Sequence, residues 1–139
     1  MFRRFKNASK RNLDDLTNAE LTDLGEEFTE EGERALSLLQ SRQKDLISIY
    51  QKAYTEFEGK NYFMSAKYLN TYVSLAEKYN AVVTSAVFDL FIAIAKETDR
   101  PEAVLSLYDN AIAYYTQVAN ADNVERFKQG KEYYKASLK

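Results

Sequence analysis

Residues 81–97 read AVVTSAVFDLFIAIAKE, and up to Ala95 the only charge is Asp89. A run of this length falls short of the roughly 18–20 apolar residues that a bilayer-spanning helix needs. A helix that is apolar on nearly every side belongs in the middle of a helical fold, so 81–97 is expected to be the central helix. Asp89 is its exception. A carboxylate among apolar neighbours is costly unless it is paired or partly solvated, which makes Asp89 a candidate for function.

Both flanks keep helical spacing. Upstream, residues 30–58 place Leu36, Leu39, Leu46, Tyr50, Ala53 and Phe57 on alternating steps of three and four, with Gln43 the one polar interruption. That is a coiled-coil-like stripe. It suits packing inside the fold, and equally pairing with its copy in a homodimer. Gly59 is expected to be the stop of this helix. A helix over 62–79 follows, burying Ala66, Leu69, Val73 and Ala76, with Tyr62, Tyr68, Tyr72 and Tyr79 around them. Downstream, Pro101 suits the first turn of a helix over 101–119, and Asn120-Ala121-Asp122 breaks it. A last helix over 123–138 shows Val124, Phe127, Tyr134 and Leu138 on one side and Lys128, Lys131, Lys135 and Lys139 on the other. Before all of these, Thr17-Asn18-Ala19-Glu20 has the form of a capping box opening a short helix over 18–27 with Leu21, Leu24 and Phe28 to bury. The expectation is an all-α fold, a five- to six-helix antiparallel bundle over residues 14–139 behind a basic arm at 1–13.

Composition narrows the chemistry. The chain has 139 residues, 45% of them hydrophobic, with four Gly and one Pro, long enough to bury a core without covalent staples. It has no Cys and no His. Disulfides, thiolate metal sites, thiol nucleophiles and imidazole bases or ligands are therefore excluded. No phosphate-cradling glycine loop, calcium loop or nucleophile elbow is present. No catalytic, metal-binding or cofactor-binding residue is assigned, and the chain is expected not to be an enzyme. The start, MFRRFKNASKRN, lacks the apolar stretch of a secretory signal. A cytoplasmic setting is expected, or a host cytoplasm for a phage or viral protein.

A faint echo runs through the second half. Tyr50-x2-Ala53-Tyr54-x2-Phe57, then Ala66, has the same offsets as Phe88-x2-Phe91-Ile92-x2-Ala95, then Val104, shifted by 38 residues, and a partial third copy starts at Arg126 with Gly130 and Tyr133. These offsets resemble the tetratricopeptide repeat over about 47–138, with Tyr54 and Ile92 where that family has Gly or Ala and without its closing Pro. The resemblance implies stacked helical hairpins with a closing helix, and a groove for a peptide or partner protein lined by Gln51, Thr55, Asp89, Ala93 and Lys96. Tyr68 and Tyr72 are aromatic anchor candidates beside it.

Charge offers two further surfaces. Arg3, Arg4, Lys6, Lys10 and Arg11 precede nine acids between Asp14 and Glu33. The basic cluster, with Lys128, Lys131 and Lys135 of the last helix, is a candidate contact for an anionic partner such as nucleic acid, and with Phe2 and Phe5 the arm equally suits shallow contact with an anionic membrane. The net charge of −2 argues against a dedicated nucleic-acid binder. Many of the acids fall in first turns of helices, where the helix dipole favours them without a ligand. The function expected is a protein–protein interaction module, of the adaptor, inhibitor or immunity type found among phage and bacterial accessory proteins. A structural homo-oligomer and a nucleic-acid-associated protein are the alternatives.

Overall fold

The computed structural model describes residues 13–26 and 29–138. Residues 1–12 of the basic arm, with Arg3, Arg4, Lys6, Lys10 and Arg11, lie outside the described residues, as do Phe28 and Lys139, whereas Leu13, expected in the arm, belongs to the fold. Among those described, a 3-10 turn (Leu13–Asp15) leads into six α-helices: α1 (Asn18–Gly25), α2 (Glu30–Glu58), α3 (Tyr62–Tyr79), α4 (Ser85–Glu97), α5 (Pro101–Gln117) and α6 (Ala121–Ser137). The class is all-α, a helical bundle. Consecutive helices pack on each other; the short turns between them after α2 make neighbours antiparallel.

Local chemistry explains the boundaries. Thr17 and Glu20 form the capping box, the Thr17 hydroxyl accepting from the Glu20 N–H at 3.3 Å and the Glu20 carboxylate accepting from the Thr17 N–H at 3.1 Å. Thr29, Asn61 and Asn120 cap α2, α3 and α6 in the same sense. From α2 onward every helix but the last stops alike. One residue takes a left-handed conformation (Lys60, Asn80, Asp99 and Ala119, φ between 54° and 63°). The next N–H then reaches back five residues, as from Asn61 to the Glu56 carbonyl at 2.8 Å and from Asn120 to that of Tyr115 at 2.9 Å. This is the Schellman stop. Gly59 is not the left-handed residue: its φ is −79°, and Lys60 takes that role. None of the four residues is glycine, though L side chains pay about 1–2 kcal/mol there. Ala119→Gly is therefore expected to stabilise the chain by about 0.5–1 kcal/mol, net of glycine's greater freedom when unfolded. The check is a rise in the urea midpoint.

The central helix starts later than the sequence suggests. Residues 81–84 are a linker, and α4 begins at Ser85 with Thr84 as its cap position. Two tyrosines of α5 hold the linker in place. The Val83 N–H donates to the Tyr114 hydroxyl oxygen at 2.8 Å, and the Tyr115 hydroxyl donates to the Val83 carbonyl at 2.7 Å. Both backbone groups of a buried residue are thus satisfied by side chains, and neither is available to helix α4. From Ser85 on, α4 is central as expected. Val87, Leu90 and Ile94 join Leu46, Ala53, Leu69, Tyr72 and Ala76 of α2 and α3 in one cluster. Ile92 and Ala95 join Val104, Tyr108, Ala111, Tyr115 and Phe127 in a second. A third, smaller cluster seats α1 on α2 through Leu21, Leu24 and Ala35.

Tyrosine is mainly mortar. Nine of the eleven are buried or half-buried, and only Tyr54 and Tyr133 are exposed. Burial, and then the neighbouring Tyr114, raise the Tyr115 hydroxyl above the ordinary tyrosine value of 10.0, and burial raises Tyr50 in the same direction. Folding therefore favours the protonated phenols. Their contribution is whole below pH about 10, where the unfolded side chains ionise, and is lost as pH climbs from there through the folded values. Stability should fall more steeply above pH 10 in the parent chain than in Tyr115→Phe, as read by denaturant midpoints at pH 9, 10 and 11.

Candidate partner-binding groove

Helix α2 is longer than the helix it pairs with, and its first half runs past the end of α3. Beside that half, the Asn80–Thr84 linker turns away toward α4. Between them lies an open groove of about 660 Å³. Its walls are Leu36, Leu39, Gln43 and Ile47 of α2 on one side and Asn80, Ala81, Val82 and Thr84 on the other, with Leu46 and Tyr72 at its base. Three large aliphatic side chains on this rim stay in water: Leu36 at 46%, Ile47 at 49% and Val82 at 59% of their full exposure. Each exposed aliphatic is unremarkable alone. Three around one concavity form the apolar, polar-rimmed surface that protein contacts use.

Arg42 stiffens this wall from within. It is 3% exposed. Its Nη1 donates to the Asn18 Oδ1 at 3.0 Å and its Nη2 to the Asp14 carbonyl at 2.9 Å, while the guanidinium lies 4.2 Å from the centre of the Tyr79 ring. One side chain thus ties the 3-10 turn, the start of α1 and the end of α3 to α2. No sequence motif marks it, although Arg42 stands seven residues after Ala35 and four before Leu46, on the buried spacing of the helix.

The residues expected from sequence are divided among several places. Gln51, Thr55 and Tyr68 come together at a shallow hollow of about 420 Å³ between α2 and α3. Tyr72 is not an exposed anchor: it is 5% exposed and packs in the α2–α3–α4 core, because its position on α3 follows Leu69 and precedes Ala76 on the buried face. Substituting it would disturb the core together with the base of the groove. Asp89 is half-exposed and paired. Both its oxygens accept from Arg126 of α6, at 3.1 and 2.9 Å. This two-pronged bond fixes α6 across α4, and its half-solvated setting limits its worth to about 1 kcal/mol. Lys96 lies at the far end of α4, its ammonium 5.4 Å and 5.8 Å from the ring centres of Tyr134 and Tyr108, where it is held by cation–π attraction. The groove implied by the repeat therefore does not gather these residues into one site. On α6, Lys131 is bonded to Asp109 and Lys135 lies 3.9 Å from Glu132, which among the described residues leaves exposed Lys128 as the one of these three lysines without an acidic neighbour at that range. The stripe on 30–58 is also used inside the fold: Leu46 and Ala53 are buried, and Leu39, Tyr50 and Phe57 pack against the core clusters.

Among the described residues no cluster of three or more acidic side chains is arranged to hold a metal ion, and no helix is long and apolar enough to cross a membrane. No protein-family model, no curated protein and no solved structure matches the chain.

Proposed function

We propose that this chain is a non-enzymatic interaction module that holds a partner protein in the groove between α2 and the Asn80–Thr84 linker. The observation that carries the proposal is the placement of Leu36, Ile47 and Val82, three half-solvated aliphatics around one concavity whose base and back are rigidly packed. A partner presenting an apolar ridge would remove these side chains from water at about 25 cal/mol per Å², onto a wall already ordered by Arg42 and the Tyr114–Tyr115 clamp. Ordering costs on this side of the interface are correspondingly small. The polar rim of Asn18, Gln40, Gln43 and Thr84 supplies hydrogen bonds for orientation.

The hairpins α2–α3 and α4–α5, with α6 as the closing helix, are read as a tetratricopeptide-like stack. Two features support this. The left-handed stops repeat at one interval, Lys60 to Asp99 and Asn80 to Ala119 each being 39 residues apart. Small residues sit where helices approach closely: the Ser65 hydroxyl donates to the Ala53 carbonyl at 2.6 Å, and a Cβ on Gly130 would come within 2.9 Å of the Tyr108 ring.

The test is capture from source cells with the parent chain and three variants. One protein should be recovered reproducibly, and Leu36→Glu and Ile47→Glu should each weaken recovery at least tenfold, a cost of about 1.4 kcal/mol or more. Phe63→Glu, at an exposed site away from the groove, should leave it unchanged. Equal recovery by all four proteins would overturn the assignment.

A further inference from the structure

The solvent face of α2 beside the groove has a sequence order that suits a particular partner. Leu36, Gln40, Gln43 and Ile47 are all exposed and follow one another at steps of four, three and four, which keeps them in one row along the helix. Read from either end the row is the same: aliphatic, amide, amide, aliphatic. Its midpoint falls between Ser41 and Arg42. Between Leu36 and Ile47 the charged side chains are Arg42, which is turned inward onto Asp14 and Asn18, and exposed Lys44 and Asp45, which flank the row and carry opposite charges.

We propose that this face pairs with a second copy of the chain, α2 against α2, antiparallel about a two-fold axis beside Ser41 and Arg42. The inference rests on the reading of the groove wall as a docking surface and names its occupant. A two-fold contact sets a patch against its own image, so any uniform charge on it repels itself; this row carries none. The symmetry places Leu36 against Ile47 of the partner subunit, and Gln40 against Gln43 of the partner subunit. Aliphatic meets aliphatic at both ends. Between them each amide offers both a donor and an acceptor to the other. Hollows lie on both sides of the row, the main groove and a shallower one of about 430 Å³ lined by Ser37, Ser41 and Lys44, and they receive the opposing side chains as holes receive knobs. The row spans about 16 Å, less than a standard interface of about 800 Å² per partner requires. The pair is therefore a reversible dimer whose population follows concentration.

The absence of cysteine allows a direct test. Leu36→Cys and Ile47→Cys each carry a single thiol, and the two are mixed and treated with a short bismaleimide. The two-fold pairing predicts a covalent dimer in the mixture and little in either variant alone, where like positions stand about 16 Å apart along the axis. Sedimentation velocity of the parent chain should show a dimer growing with concentration, lost in Ile47→Glu and retained in Phe63→Glu. A parent chain that stays monomeric throughout, with no excess cross-linking in the mixture, overturns the dimer. If such a monomer still loses a different protein upon Ile47→Glu, the docking surface stands and only its occupant is wrong. A dimer that survives Ile47→Glu also overturns the proposal, since its interface would lie elsewhere.

Discussion

Phe127→Ala is expected to lower the unfolding free energy by about 3–5 kcal/mol, a large share of the roughly 5–15 kcal/mol that holds a domain of this kind together. Phe127 is the one buried residue of α6, at 1% exposure. Its ring stacks on Tyr115, 5.8 Å between centres and 4° from parallel, and meets Phe88 and Tyr108 edge-on at 6.0 and 6.4 Å. Aromatic pairs of this geometry add about 0.5–1.5 kcal/mol each beyond area burial. What remains to hold α6 is half-buried Val124 and Tyr134, the Arg126–Asp89 pair and the Lys131–Asp109 pair. The variant should therefore lose hydrogen-exchange protection in α6 first, while α2 and α3 keep theirs. A loss below 1 kcal/mol would mean that α6 is not docked as described.

Arg42→Ala is expected to cost about 2–4 kcal/mol, because two charge-assisted hydrogen bonds and a cation–π attraction disappear together. The Asp14 carbonyl and Asn18 amide are left without these donors, and the end of α3 is left without the guanidinium over Tyr79. Arg42→Lys keeps the charge but not the fork that reaches two acceptors at once, so it should recover only part of the loss. Exchange at α1 amides is the local readout. Protection there should fall in both variants, and further in the alanine variant. Because Arg42 backs the groove wall, the alanine variant should also weaken partner capture without altering any exposed groove residue.

Much of this architecture is legible along the chain. The bounds of α2 and α3 follow from an unbroken helical period ended by short polar turns, and the capping box at Thr17 and Glu20 is visible as a four-residue pattern. The linker at 81–84 is not. Its residues continue an apolar run, and no Gly or Pro marks a break. What makes it a linker is a left-handed Asn80 and two hydroxyls from 31 and 32 residues downstream. The groove is hidden in the sequence for the same reason, since Val82 becomes a rim residue only once the linker leaves the helix. Asp89 is recognisable as a carboxylate needing a partner; that the partner is Arg126, 37 residues on, depends on how α6 crosses α4. Tyr72 shows the converse limit, because a tyrosine suits a seam and a surface equally until its neighbours are placed.

The central claim, that the chain works by holding a protein against the α2 groove wall, is tested most directly by a photo-cross-linking amino acid placed singly at Ile47, Val82, Phe63 and Tyr133 in source cells. All four positions are exposed, but only the first two line the groove. A discrete cross-linked protein product, a second copy included, is expected from Ile47 and Val82 and none from Phe63 or Tyr133. Products from Phe63 or Tyr133 alone, or from no position, would contradict the claim.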